Sequence, residues 1–470
     1  MTDLCKLTAR DMVSLLKKGE VSPLEAIDAA LARIEKTNGA INALPTLCPD
    51  RARDKARRLP QSGPETAAPG WLAGLPVAIK DLNDVQGVRT TSGSLVYKDR
   101  VPDRSDIVVE ALERHGAVVL AKSNTPEFGA GANTFNEVFG KTRNPWNTAK
   151  TSGGSSGGSA AALAAGQVWL AHGNDLGGSL RTPASFCGVV GMRPGPGVVA
   201  RGPHKIPFDT LWVEGPMARN VGDLALMLDA MAGNSPEDPI SMPAPATPYQ
   251  AAIGRGRPKK VAFATSIAGL PVEKEVRDAV LTAAKKIAGE GVIVEEAAPD
   301  FSGAAEIFST LRAAMFVALI GPMLDEHRNT LKADIVWNTE EGLKLKAEDI
   351  ERAERERGKL FHRVATFMKS YDAFLCPTAI VPAFDVDKRF IDEVDGHKFE
   401  NYFQWLGATF AITLASSPAL SLPCGFTKDG LPIGLQMMGR AQGDADLIAA
   451  AAFAESLFGL SDRVPVDPRS

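Results

Sequence analysis

The apolar residues of this chain hold one period at its start and then change it. Leu24, Ile27, Leu31 and Ile34 recur three and four apart, which places them on one face of a helix. The preceding Ser22-Pro23-Leu24-Glu25 supplies a cap, a first-turn proline and a capping-box glutamate. Residues 1–70 read as a helical segment packed on the rest of the molecule, as an accessory layer or a homodimer contact, with a Ser, Pro, Gly and Thr-rich loop between Gln61 and Gly70. Short continuous apolar runs then take over. Leu75 to Ile79 is a buried strand ended by Lys80, and from Ser105 a helix runs to a stop at Gly116, followed by the strand Ala117 to Ala121. Pro236 to Pro248 carries five prolines and few large apolar side chains, so it is a surface connection. Beyond it come strand Val261 to Ala264, helix Val272 to Gly289 and strand Val292 to Glu295. Residues 305–370 are mostly helical, with Glu348 to Lys359 a solvated face. Asp429-Gly430 between two apolar runs marks a hairpin, and Asp444 to Phe458 closes the chain as a helix. Alternating strands and helices without a repeat period or a domain-sized linker indicate one α/β unit.

Charge and composition narrow the functions. Fifty-two basic against 56 acidic residues give a net charge of −4, without the basic excess that nucleic acid or an anionic membrane selects for. The five cysteines are scattered and form no C-x-x-C pair, which points to free buried thiols. The six histidines show no ligand spacing, so no metal site is expected. The amino terminus Met-Thr-Asp-Leu-Cys-Lys enters an amphipathic helix without a signal-peptide core, and no apolar run is expected to approach the roughly 18 residues of a membrane span. A cytoplasmic protein is expected.

Three segments carry chemistry. Thr151-Ser152-Gly153-Gly154-Ser155-Ser156-Gly157-Gly158-Ser159 looks at first like a flexible linker. It opens directly into the alanine-rich Ala160 to Gly166, however, and such an apolar helix is stable only when buried. Gly/Ser loops entering buried helices present N–H groups and short hydroxyls at a positive dipole end. The pattern lacks the Gly-Lys-Ser/Thr ending and the G-x-G-x-x-G spacing of phosphate loops. The second segment, Gly173-Asn174-Asp175-Leu176-Gly177-Gly178-Ser179-Leu180-Arg181-Thr182-Pro183-Ala184, sets two glycines before a serine. This is either an ordinary turn with a capping serine or a bend that converges N–H groups beside a hydroxyl, as an oxyanion hole requires. The third is Gly74-Leu75-Pro76-Val77-Ala78-Ile79-Lys80-Asp81. Lys80 either snorkels to solvent or sits in an apolar site, where desolvation lowers its pKa and makes it a base.

Taken together and in this order, the three segments resemble the defining sequence of the amidase signature family. The likeness continues through Gly188 to Pro194, Gly215 to Arg219, Ser421 to Phe426 and Gly430 to Gln436, so it spans nearly the whole chain. The resemblance implies a large twisted mixed β-sheet flanked on both faces by α-helices, with residues 71–470 as the signature domain. It implies hydrolysis of a small-molecule amide without a cofactor, by a Ser-cisSer-Lys triad. Position by position, Ser179 is the nucleophile, Ser155 follows a cis peptide and Lys80 is the base. Leu176, Gly177, Gly178 and Ser179 would supply the oxyanion N–H groups. Ser152 and Leu176 depart from the family's frequent proline and threonine, and Pro194-Gly195-Pro196-Gly197 departs in a way that indicates an altered loop at the substrate rim. Asp175 and Arg181 are expected to brace the turn as an ion pair. Aromatic residues available to a substrate pocket are Phe208, Trp212, Phe316, Trp337 and Trp405, with Tyr402 and Phe403 beside them, which favours an apolar or aryl amide. The alternatives are the glutamine-hydrolysing subunit of a tRNA-dependent amidotransferase and a non-catalytic binding protein on the same scaffold.

Overall fold

The computed structural model describes residues 3–60 and 62–470. Met1, Thr2 and Gln61, which belong to the amino terminus and to the first loop, lie outside the described residues. The chain builds one large mixed sheet of eleven strands. In chain order these are β1 (Thr46–Leu47), β2 (Pro76–Lys80), β3 (Val118–Ser123), β4 (Leu170–Asp175), β5 (Val190–Arg193), β6 (Val213–Ala218), β7 (Lys260–Phe263), β8 (Ile293–Glu296), β9 (Ala373–Pro377), β10 (Ala419–Phe426) and β11 (Pro432–Met438). Across the sheet they run β1-β3-β2-β4-β6-β5-β10-β11-β9-β7-β8. The central strands are buried on both faces, as sandwiching by helices requires.

What positions the site is the direction of three of these strands. β2 pairs in parallel with β3 on one side and with β4 on the other. Their carboxyl ends therefore meet at one edge of the sheet, bringing Lys80, Ser123 and Asp175 to the same rim, where ligands bind in sheets of this kind. Between β3 and β4 the chain supplies the helix Gly157–Ala164, every residue of which is buried. Gly158 permits this packing, because a Cβ there would lie 2.3 Å from the backbone nitrogen of Asn124.

The elements named from the hydrophobic pattern fall where it puts them, while the strands Leu170–Asp175, Val190–Arg193, Val213–Ala218 and Ala373–Pro377 are not read from it. The capping box of Ser22 and Glu25 opens the helix Pro23–Ile41, Gly116 ends the turn before β3 with φ of 78°, and Asp429-Gly430 joins β10 to β11 as an antiparallel hairpin. The amino-terminal segment is tied to the core by polar contacts: the Ala9 N–H donates to Asp223 Oδ2 at 2.7 Å, and Arg219 Nη1 to the Cys5 carbonyl at 2.6 Å.

Two expectations are corrected. The helix Ala304–His327 is long and apolar enough by length and composition to cross a membrane, with a window of mean hydropathy 1.7. A search for uninterrupted apolar runs misses it because Glu306 and Arg312 break the run; half of the window is buried inside the molecule. The segment Pro194 to Gly197 is no substrate rim. It packs under the last helix, Asp444–Phe458, where the Gly195 N–H donates to Asp444 Oδ1 at 2.8 Å.

Candidate active site

Lys80 is fully buried at the end of β2. Three oxygens surround its Nζ: Ser155 Oγ at 2.7 Å, Ser156 Oγ at 2.8 Å and Asn174 Oδ1 at 2.7 Å. None is a carboxylate, so nothing adjacent repays the desolvation of an ammonium, and burial pushes the group down to about 7 despite the more distant Glu214 and Asp175. The peptide bond between Gly154 and Ser155 is cis.

The partners of these oxygens fix where the protons are. Glu214 Oε1 and Asp106 Oδ2 both accept from Asn83 Nδ2, at 3.2 and 3.1 Å. The amide oxygen of Asn83 must therefore face the Asn174 Nδ2, 3.3 Å away, which turns Asn174 Oδ1 toward Lys80. Ser156 donates its own proton to the Asn174 carbonyl at 3.3 Å, so it accepts from the lysine. A neutral amine has two N–H groups and one lone pair. With Asn174 Oδ1 and Ser156 Oγ taking the two hydrogens, the lone pair is left for the hydroxyl of Ser155. Burial lifts the Glu214 carboxyl, but the bonds from His172 (2.9 Å) and Asn83 outweigh it and hold the group below its ordinary value, so the acceptor at the head of this chain is ionised.

Ser179 lies on the turn after β4. Buried Asp175 organises that turn: it accepts from the N–H groups of Gly178 (2.9 Å) and Leu180 (3.1 Å) and from Arg181 through Nε and Nη2, while Arg193 Nη1 donates to its carbonyl at 2.6 Å. Burial opposes the Asp175 charge, yet the two guanidinium groups hold its carboxyl well below the usual carboxylate range. The expected ion pair with Arg181 is present at 2.9 Å. One oxyanion expectation changes, because the Gly178 N–H is already engaged by Asp175. The N–H groups of Leu176, Gly177 and Ser179 have no protein acceptor among the described residues.

Ser155 and Ser179 both line a cavity of about 310 Å³, whose apolar walls include Leu82, Phe128, Leu176, Met315 and Ile320. Of the seven aromatic residues named from sequence, Trp212 and Phe316 line it, whereas Tyr402 and Phe403 are buried against the Arg312 guanidinium and are not among its walls. Phe208 is 75% exposed, half-exposed Trp337 packs against Tyr402 and Phe403, and Trp405 is buried against Phe384, so these three are not among its walls. Sequence reasoning missed Ser156, Asn174, Asn83, Glu214 and Arg312. The first two stand inside segments already singled out and were legible there; Asn83 and Glu214 fall just outside the segments ending at Asp81 and beginning at Gly215, and Arg312 sits in a helix with no local signal. Among the described residues no group of three His, Cys, Asp or Glu side chains could hold a metal ion.

A buried amine against a pair of serines, beside a turn of free N–H groups, brings together the parts that nucleophilic acyl transfer uses. The Amidase family model matches residues 25–448. The chain is 35% identical to a glutamyl-tRNA(Gln) amidotransferase subunit from Moorella thermoacetica, covering 97% of each. It is 33% identical to an acylamidase of Rhodococcus erythropolis, covering 98% of this chain and 97% of that one. The crystal structure of a bacterial aryl acylamidase of the amidase signature family superposes with a TM-score of 0.88 at 26% identity, covering 98% of this chain and 99% of that one. The chain belongs to the amidase signature family and is an amide-hydrolysing enzyme.

Proposed function

We propose that this enzyme hydrolyses an apolar or aryl amide through an acyl-enzyme on Ser179, with Ser155 and Lys80 as the proton relay. The observation that carries the reading is the set of contacts at Lys80 Nζ, which leaves the lone pair of a neutral amine to Ser155. Lys80 takes the proton of Ser155 as Ser155 takes that of Ser179, and Ser179 Oγ bonds to the amide carbon. The negative charge that develops on the carbonyl oxygen is received by the N–H groups of Leu176, Gly177 and Ser179. The proton returns through Ser155 to the leaving nitrogen, the C–N bond breaks, and water releases the acid by the same path. The apolar walls of the cavity support an apolar or aryl substrate, as does the likeness to acylamidases.

Because the base must be neutral, kcat/KM is expected to rise with pH through about 7 and level off above it. Assay of an anilide across pH 5–10 checks this, and a flat profile removes Lys80 from the relay. A serine-directed fluorophosphonate should label Ser179 covalently; an unlabelled protein would favour a binding function.

A second reading rests on the similarity to the glutamyl-tRNA(Gln) amidotransferase relative: glutamine is then the amide, and a partner protein receives the ammonia. Against it, the apolar walls formed by Leu82, Phe128, Met315 and Ile320 offer surface for a larger apolar group than glutamine carries. Release of ammonia from glutamine only in the presence of such a partner would establish this second reading.

A further inference from the structure

Of the buried side-chain polar atoms that lack a hydrogen-bond partner among the described residues, two belong to side chains lining the cavity: Trp212 Nε1 and Arg312 Nη1. Both are donors. Arg312 is only 4% exposed, and its guanidinium is always charged. Among the described residues it pairs with no carboxylate. Its Nη2 donates to the hydroxyl of Tyr402, and its plane lies over the rings of Phe316, Phe403 and Tyr402 at 4.4, 5.0 and 5.1 Å. Asn338 donates to the same hydroxyl at 3.0 Å, which locks the ring. Asp334, whose charge is felt at Tyr402, is taken by Lys332 at 2.8 Å. A buried cation without a counterion is costly, and three aromatic faces compensate only in part. They do hold the guanidinium in one orientation, so it meets an anion without further ordering.

The position of Arg312 ties it to the reaction. On the helix Ala304–His327 it precedes Met315, Phe316, Leu319, Ile320 and Met323, which form one face and line the same cavity. Phe308, one turn earlier, packs against Gly177 of the nucleophile turn, where an added Cβ would lie 3.0 Å from its ring. Arg312 thus stands about 6 Å further along the helix axis from that contact. Lys205, also a cavity residue, adds a second positive charge beside this helix, its Nζ donating to the Leu319 carbonyl at 3.2 Å.

The geometry points to a carboxylate subsite at Arg312: the substrate is an amide that carries a carboxylate, which accepts from the unpartnered Nη1 edge of the guanidinium while the apolar walls hold the rest of the molecule. This deepens the reading of the cavity as an amidase site and rests on it. A charge-assisted contact of this kind is worth roughly 10- to 100-fold in binding.

The test is calorimetric binding to full-length Ser179→Ala protein, which cannot turn the ligand over. The ligands are the mono-anilides of malonic, succinic, glutaric and adipic acids beside their methyl esters, and 4-acetamidobenzoate beside its methyl ester. The first set places the carboxylate on the acyl half, the second on the amine half. At least one acid should bind roughly 10- to 100-fold more tightly than its ester, and Arg312→Met in the same background should abolish the difference. Equal binding of every acid and ester overturns the subsite, as does a preference that survives Arg312→Met. Should that variant not fold, the acid-to-ester ratio in Ser179→Ala and its reduction in Arg312→Lys, which keeps the charge but loses the fork, decide the matter. Wild-type turnover separates the two readings. Hydrolysis of neutral anilides without any acid preference removes the subsite and leaves the amidase; anion binding without hydrolysis of any amide removes the proposed reaction.

Discussion

Three oxygens close around the Lys80 amine, and a change in one of them sets the protonation of the rest. Replacing Asn174 by aspartate keeps the size of the side chain and puts a carboxylate 2.7 Å from Nζ. An opposite charge at that range favours the ammonium, so Asn174→Asp should move the acid limb of the pH–rate profile upward by about 1–3 pH units. A profile unchanged from the wild type would show that the amide does not set the state of Lys80. Lys80→Met should cost at least about 100-fold in kcat, the lower range of general-base catalysis, without a comparable loss of folded protein by circular dichroism. The identities of these residues were half legible in sequence. Ser155, Ser179 and Lys80 stand in glycine-rich or strand-end contexts that mark them, whereas Glu214, which orients Asn83 and through it Asn174, sits in an apolar strand with nothing nearby to reveal its role.

At the scale of elements, the turn between β4 and the helix Arg181–Cys187 is held by one carboxylate. Asp175 carries two backbone N–H groups and two guanidinium groups, all of them buried. Asp175→Asn removes the charge and leaves Arg181 and Arg193 without a counterion, so it should lower unfolding stability by about 3–5 kcal/mol in urea titration. A loss under about 1 kcal/mol, the worth of an exposed pair, would mean that the turn is held by packing instead. Gly178 belongs to the same construction: its φ is 119°, and a Cβ would lie 2.3 Å from Thr409 Oγ1. The glycine doublet was visible in sequence, and so was its use as a bend. That Asp175 would occupy the Gly178 N–H, and remove it from the expected oxyanion donors, depended on the direction in which the side chain folds back.

Across the whole molecule, distant segments share buried charges. Glu455, on the closing helix, accepts the Val221 N–H at 2.9 Å and is pushed up to about 7 by burial and then by Asp223. A carboxyl with a raised folded pKa favours the folded state below its unfolded value and loses that advantage as pH rises toward 7. Glu455→Gln keeps an acceptor for Val221 without the charge. It should therefore stabilise the protein by on the order of 1–3 kcal/mol at pH 8 and by little at pH 4, measured by thermal unfolding. Equal effects at both pH values would place the carboxylate in water. By itself the chain's order of residues determined the strands and helices named from its periods, the cap at Ser22, the hairpin at Asp429-Gly430 and the glycine-rich segments that carry Ser155 and Ser179, because those depend on neighbours a few positions away or on glycines at fixed spacing. Only the tertiary structure decided which aromatic side chains wall the cavity, which way the amides of Asn83 and Asn174 point, and that Arg312 is buried without a counterion. Those properties belong to contacts between residues tens to hundreds of positions apart, and no local period encodes them.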